Sequence, residues 1–282
     1  MPAATPISVV VITRNEAANI MDCLRSARAL SDDIVVVDCG SNDATTRLAA
    51  LCRARVQIHT WQGYGAARNL GAALARHDWI LALDADERLD ENLITQLKNQ
   101  ILERGRVYRF RRRNHWEERP IRFGTLGFER IARLYHRGDA RWNGYAVHER
   151  LTGAFRVQDV PGNIQHFGIA DPDFYYRKKE HYALLSALTY ARQGKKAGLL
   201  KRFVAPLFDA VKSYLLLAGF LDGAIGARLA LTTFRYTARK YALLHRQRER
   251  LLKLERQPGR NGPDEAACMI AELKPLPSSA AS

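Results

Sequence analysis

The sequence predicts an α/β fold: a mostly parallel, doubly wound sheet followed by a helical region. Three observations predict it. The first hundred residues alternate β-branched apolar runs with stretches of helical periodicity. Those runs are apolar throughout, as in strands covered on both faces. Beyond Asp171-Pro172 the pattern turns helical as far as residue 256.

Taken in order, Ile7 to Ile12 reads as a buried strand, and Ile20, Leu24, Ala27 and Leu30 fall at helical spacing within 16–30. Ile34 to Val37 is a second buried strand that ends in the turn Asp38-Cys39-Gly40-Ser41. Residues 44–54 read as helix, 56–59 as strand, 66–76 as helix and 79–83 as a fourth strand, with a helix expected over 90–102. This β-α-β-α-β-α-β series predicts right-handed crossovers and a parallel sheet. Residues 104–168 hold short alternating runs, Val107–Arg111 and Ile131–Tyr135, broken by turns, and read as a second, mixed β region. Helices are expected over 173–192, about 202–221 and 227–254. The organisation predicted is a catalytic domain over 1–172, a basic amphipathic helical region over 173–256 and a flexible tail over 257–282.

The chain has 282 residues, 47% of them apolar, enough for a sizeable core. Its formal net charge is +15, but the charge is uneven. Residues 1–103 carry a net −3, residues 104–150 a net +8, and residues 177–256 a net +13. A uniformly basic nucleic-acid binder is a poor match to this distribution. Cys23, Cys39, Cys52 and Cys268 form no CxxC pair and have no zinc spacing, so free thiols in a reducing compartment are expected. The N-terminus lacks a basic segment before its short apolar run, so a buried strand rather than a signal peptide is expected there.

In parallel sheets ligands bind beyond the carboxyl ends of the strands. Three acidic or polar loops stand at such ends. Asp84-Ala85-Asp86-Glu87 follows the fourth strand, where carboxylates two residues apart can reach a hard divalent cation and the phosphates it carries. The alternative is a solvated acidic turn. Asp38, at the end of the second strand, can accept hydrogen bonds from a ribose or a base, or serve the turn itself. Thr13, Arg14, Asn15 and Glu16 stand in the same position after the first strand, with a helix N-cap as the alternative. Gly63-Tyr64-Gly65 opens a helix whose N–H groups can meet phosphate, and Arg68 can neutralise it, with an ordinary helix entry as the alternative.

Together the stretches ISVVVITRNEAANI, DDIVVVDCGSNDAT, WQGYGAARNLG and DWILALDADE resemble the family-2 glycosyltransferases. Val147-His148-Glu149-Arg150, Ile164-Gln165-His166 and Gly219-Phe220-Leu221-Asp222-Gly223 extend the resemblance over roughly 5–245. The nearest subgroup is that of the small bacterial enzymes that add a sugar, typically glucose, to the lipopolysaccharide inner core. The resemblance implies a GT-A fold, Rossmann-like with a mostly parallel sheet. It implies inverting transfer from a UDP-sugar assisted by Mg²⁺ or Mn²⁺, with an anionic glycolipid as acceptor. Thr13 to Glu16 would hold the nucleotide, Asp38 would contact uracil or ribose, and Arg68 would lie near the diphosphate or base. Asp84, Ala85 and Asp86 would form the DxD motif, with Asp86 on the metal and Asp84 on the ribose or a metal-bound water. Glu149 is the candidate general base and His166 a candidate metal ligand; a salt bridge and a satisfied core histidine are their respective alternatives.

Asp209, Lys212, Asp222 and Arg228 interrupt the apolar C-terminal third, so no spanning helix is expected there. Its Lys/Arg-flanked apolar stretches fit helices lying on an anionic membrane, and the resemblance implies a cytoplasmic protein peripheral on the inner membrane. The competing expectation is a packed helical subdomain with a basic solvated face. The segment 104–150 contains 13 arginines and no lysine, and its group Arg109, Arg111, Arg112 and Arg113 is expected to contribute to anionic acceptor binding. Three rival readings remain at this point: transfer to a polyprenyl phosphate or another cell-envelope acceptor, a nucleic-acid-binding protein that uses the aromatics among the arginines at Tyr108–Trp116, and a catalytically dead scaffold, against which the intact Asp84–Asp86 motif and Glu149 argue.

Overall fold

The computed structural model describes residues 5–144, 149–192, 195 and 197–255. The expected tail over 257–282, Cys268 and His148 lie outside the described residues. The described chain forms two compact units, residues 5–121 with 126–170, and residues 122–125 with 171–255.

In the first unit β1 (Ile7–Thr13) is buried at every position. It is followed by α1 (Ile20–Arg28), β2 (Asp33–Asp38), α2 (Thr45–Leu51), β3 (Arg55–Ile58), α3 (Tyr64–Leu74) and β4 (Trp79–Asp84). Next come β5 (Glu87–Leu89), α4 (Glu91–Asn99), β6 (Arg106–Trp116), β7 (Arg119–Pro120), the short α5 (Gly124–Gly127), whose first two residues are counted with the second unit, β8 (Arg130–His136), β9 (Ala140–Trp142), β10 (Leu151–Gly153) and β11 (Arg156–Ile169). One sheet runs in the order β3-β2-β1-β4-β8-β6-β11-β5, with β7 beside β6.

The strands β3, β2, β1 and β4 are parallel, as the βα periodicity predicts. The sheet as a whole is mixed rather than mostly parallel. Within residues 104–168, β9 and β10 pair antiparallel as a small separate sheet, but the other strands do not form a second region. They extend the same sheet through β8, antiparallel to both β4 and β6, and through β11, parallel to β6. Successive side chains of β1 serve opposite faces. Val9 and Val11 pack with Leu24 of α1 and Leu93 of α4; Val10 and Ile12 pack with Ala67 of α3 and Tyr135. That double cover explains a strand with no polar alternation. A Cβ on Gly71 would lie 2.2 Å from Val10 Cγ1, so glycine lets α3 approach β1.

The second unit holds α6 (Pro172–Arg192), α7 (Leu199–Val211) and α8 (Gly223–Glu255). Between α7 and α8 lie a π-helical turn, Lys212–Leu216, and a 3₁₀ turn, Gly219–Asp222. The expected helix over about 202–221 therefore stops near Val211. Ala218 has φ 55°, and a Cβ on Gly219 would lie 2.5 Å from the Ser213 carbonyl oxygen. The Asp222 carboxylate accepts the backbone N–H groups of Arg122 at 3.1 Å and Phe123 at 2.9 Å, which ties the 122–125 segment into this unit. Among the described residues no single helix is long and apolar enough to cross a membrane. Cys23, Cys39 and Cys52 are free thiols.

Candidate active site

The parallel strands bring their carboxyl ends to one edge of the sheet. Strand order reverses between β1 and β4, because β2 and β3 continue on one side of β1 and β4 lies on the other. A crevice forms at such a reversal. The register pairs Thr13 with Asp38 and Ile12 with Asp84. The sequence-predicted Thr13–Glu16, Asp38 and Asp84–Asp86 thus converge on neighbouring strand ends.

The loop after β1 is held from β2 and α2. Asn15 adopts φ 53°; its N–H donates to Ser41 Oγ at 2.8 Å, and its Oδ1 accepts the Asn42 N–H at 2.8 Å. The Glu16 N–H donates to Thr45 Oγ1 at 2.8 Å. Asp38 is buried, and its Oδ1 accepts the N–H groups of Gly40 at 3.0 Å and Ser41 at 2.9 Å, while the Ser41 hydroxyl donates to Oδ2. Asp38 therefore carries out the turn chemistry foreseen as its alternative role. Thr13 Oγ1 and Arg14 Nε are buried with no hydrogen-bond partner among the described residues.

Beneath the Asp84 loop lies a network of buried charges. Arg68, 2% exposed, extends from α3; its Nη2 donates to Asp84 Oδ1 at 2.6 Å and its Nη1 to Glu149. Its guanidinium lies 4.6 Å from the Trp142 ring centroid, a cation–π arrangement. Arg133 of β8 reaches Asp84 Oδ2 at 2.8 Å and Glu87 at 3.2 Å, and Arg112 of β6 reaches Glu87 at 3.0 Å. Burial alone raises the Asp84 pKa, but the attraction of Arg133, Arg68 and Arg112 outweighs it and holds the carboxyl well below the usual range. Both Asp84 oxygens are thus committed to arginines. Ala85 is buried, and its backbone carries the chain on to Asp86.

Asp86 faces His166. The Nε2 of His166 stands 3.3 Å from Asp86 Oδ2, and both side chains are mostly buried. The Nδ1 of His166 lies 2.6 Å from Asn114 Oδ1. The orientation of that amide is set by its other end, since Asn114 Nδ2 donates to Leu126 O at 2.8 Å and to Glu129 Oε2 at 2.9 Å. A carbonyl oxygen only accepts, so Nδ1 of His166 carries a proton. A neutral imidazole then aims the Nε2 lone pair at a carboxylate oxygen, and two acceptors at this distance require a proton or a cation between them. Among the described residues no three His, Cys, Asp or Glu side chains gather around one point. The Asp86–His166 pair fits a hard divalent cation that keeps few protein ligands and completes its shell with phosphate and water.

Glu149 is brought to the same place as Asp84, through Arg68. In this arrangement it forms the salt bridge weighed as its alternative role. The expected arginine group divides. Arg109 pairs with Asp159 at 2.7 Å, Arg112 belongs to the buried network, and Arg111 donates to Gly127 O at 2.9 Å. Sequence reasoning missed Arg133, Asn114 and Trp142 as parts of the site, gave Glu87 no role beyond its strand-end loop, and assigned Arg112 to the acceptor instead of to this network. Arg133 lies 46 positions from Glu87, Asn114 lies 52 from His166 and Trp142 lies 73 from Asn69, so no local spacing marks these meetings. The one available signal was the arginine-only composition of 104–150, which suits fixed bidentate pairing better than a solvated basic face.

The sequence model of Glycosyl transferase family 2 matches residues 8–158. The chain is 24% identical over 237 residues to an uncharacterized glycosyltransferase of Rickettsia bellii, covering 78% of this chain and 79% of the relative. It is 26% identical over 258 residues to the lipopolysaccharide core biosynthesis glycosyltransferase LpsC of Rhizobium meliloti, covering 84% of this chain and 94% of the relative. Among solved structures, the glucosyl-3-phosphoglycerate synthase of Mycobacterium tuberculosis in complex with Mg²⁺ and uridine diphosphate is 29% identical over 30% of this chain and 34% of that chain, with a TM-score of 0.28.

Proposed function

The chain belongs to glycosyl transferase family 2, and on that premise we propose that it transfers a sugar, glucose in our reading, from a UDP-sugar to the inner core of lipopolysaccharide, with inversion at the anomeric carbon. The observation that carries this reading is the convergence of Thr13–Glu16, Asp38 and Asp84–Asp86 at the strand reversal, beside the Asp86–His166 pair. The relative named for lipopolysaccharide core biosynthesis aligns over most of both chains and supports the acceptor.

In this mechanism the loop Thr13–Glu16 and Asp38 position the nucleoside. The buried, unpartnered Thr13 Oγ1 and Arg14 Nε offer it polar contacts. Asp86 and His166 would hold a divalent cation, and that cation would supply positive charge to stabilise a diphosphate leaving group. Asp84, fixed by Arg68 and Arg133, contributes a rigid negative edge toward the ribose. Glu149 accepts the proton of the attacking acceptor hydroxyl once it exchanges its Arg68 contact for that hydroxyl, a step worth about 10²–10⁴-fold in rate. Inversion requires one such base on the face opposite the leaving group.

The test is transfer of radiolabelled sugar from UDP-glucose to purified inner-core lipopolysaccharide. Asp86→Ala is expected to abolish transfer, and Glu149→Gln to lower kcat by about 10²–10⁴-fold, both with unchanged circular dichroism. Full activity of Glu149→Gln with acceptor present would remove Glu149 from the role. Transfer only to a polyprenyl phosphate would move the acceptor to the rival reading.

A further inference from the structure

The second unit exposes apolar side chains on a scale that a folded domain rarely leaves in water. Eleven large hydrophobics between Phe203 and Phe234 are exposed, among them Phe203 at 67%, Leu207 at 58%, Phe208 at 56%, Leu216 at 69% and Leu221 at 58%. On α7 the exposed positions Phe203, Leu207 and Val211 recur every four residues, with Val204 and Phe208 beside them. They form one helix face. Pro206 on the opposite side is buried. The exposed run continues through the two turns after α7 into Leu231 and Phe234 of α8.

Charge selects the occupant. Every exposed charged residue between 201 and 240 is a cation: Lys201, Lys212, Arg228, Arg235 and Arg239. The two acidic residues of that stretch are turned to internal bonds. Asp209 accepts from Thr237 Oγ1 at 2.9 Å, and Asp222 holds the backbone of Arg122 and Phe123. A second copy docked by two-fold symmetry would set this cationic rim against itself. An anionic lipid surface complements both features, taking the apolar side chains into its acyl boundary and the Lys/Arg heads among its phosphates.

We propose that α7, the turns over 212–222 and the start of α8 form a membrane-docking face that lies in the interface of an anionic bilayer. The geometry favours lying in the interface over spanning. Lys201–Leu216 and Gly219–Arg246 reach spanning length and composition only as a pair, and that pair is bent by 70°. This inference concerns a partner of the second unit and does not depend on which sugar acceptor the first unit uses.

The test uses the full chain with vesicles of phosphatidylcholine alone or with about one third phosphatidylglycerol. All four tryptophans lie before residue 143, so Phe208→Trp adds a local reporter. The expected results are co-sedimentation with the anionic vesicles, weakened by salt, and an added emission component in Phe208→Trp that shifts to the blue and is quenched by acyl-chain-brominated lipid. Leu207→Glu combined with Phe208→Glu is expected to weaken vesicle partitioning at least about tenfold, the scale of losing one buried leucine, with an unchanged melting temperature. Absence of the blue shift and of quenching on anionic vesicles would overturn the proposal. So would a lipid-free dimer, seen by sedimentation velocity, that the same double substitution dissociates. Failure to glycosylate lipopolysaccharide, with vesicle binding intact, would count against the acceptor reading alone.

Discussion

Asn114 has a part in the site out of proportion to its chemistry, because its amide orientation determines which nitrogen of His166 is free. Asn114→Ala removes the acceptor at Nδ1 and lets the imidazole populate the other tautomer. If His166 holds the cation as proposed, the expected result is a Mn²⁺ affinity about 10–100-fold weaker by calorimetry, the usual cost of losing a partner of a metal ligand. The ¹⁵N shifts of neutral His166 should change from a single Nδ1–H form to a mixture, and Asn114→Asp, which restores an acceptor, should recover the first pattern. An unchanged tautomer in Asn114→Ala would refute the positioning role. Arg68 tests the buried network in the same way. Arg68→Met leaves Glu149 and one oxygen of Asp84 unpaired, and urea unfolding should show a loss of about 3 kcal/mol, at the low end for a broken buried pair because Asp84 keeps Arg133. At this scale the sequence revealed the residues that follow strands. Thr13, Asp38 and Asp84 were legible because a buried apolar run ends directly before each. Arg112 and Arg133 were not, because they meet Asp84 and Glu87 only after β6 and β8 have paired antiparallel.

Asp33 shows how one side chain locks several elements. Its carboxylate accepts from Ser8 Oγ of β1 at 2.6 Å, from the Arg76 N–H after α3 at 2.8 Å and from Arg55 of β3 at 2.7 Å. Burial raises its pKa, but the Ser8, Arg76 and Arg55 interactions together bring it below the ordinary aspartate value of 3.8. The folded value lies below the unfolded one, so this contribution is complete above that range and is lost as the pH falls through it. Urea midpoints at about pH 6 and about pH 3 should therefore differ more for the native chain than for Asp33→Asn. Equal differences would remove Asp33 from the acid transition. The four parallel strands and their helices were legible from periodicity, since each element is short and bounded by turn residues. The 14-residue β11 was not. Its pairing with β6 is irregular between Asp159 and Asn163, where Gly162, at φ +105°, passes against Leu93 of α4. The end of α7 was equally hidden, because Ala218 in a left-handed conformation has no sequence mark.

For the whole molecule the charge of +15 has two distinct uses. The surplus of 104–150 is largely taken up inside the first unit, where Arg104, Arg106, Arg109, Arg112, Arg130, Arg133 and Arg137 all pair with carboxylates. In the second unit the described cations Arg177, Lys195, Lys201, Lys212, Arg228, Arg235, Arg239 and Arg246 are exposed, and those between 201 and 240 stand among exposed apolar side chains. Composition alone could not separate the two, since pairing and exposure are properties of the folded chain. In the proposed function the acidic strand ends of the first unit bind a nucleotide-sugar through a cation. That binding is read most simply from the melting temperature of the protein with UDP-glucose and other UDP-sugars, each with Mn²⁺, with Mg²⁺ and with chelator. The expected result is stabilisation by a UDP-sugar that requires the metal, by about 2.7 kcal/mol at a ligand concentration one hundred times Kd, and that disappears in Asp86→Ala. No stabilisation by any UDP-sugar in the presence of either metal would contradict it.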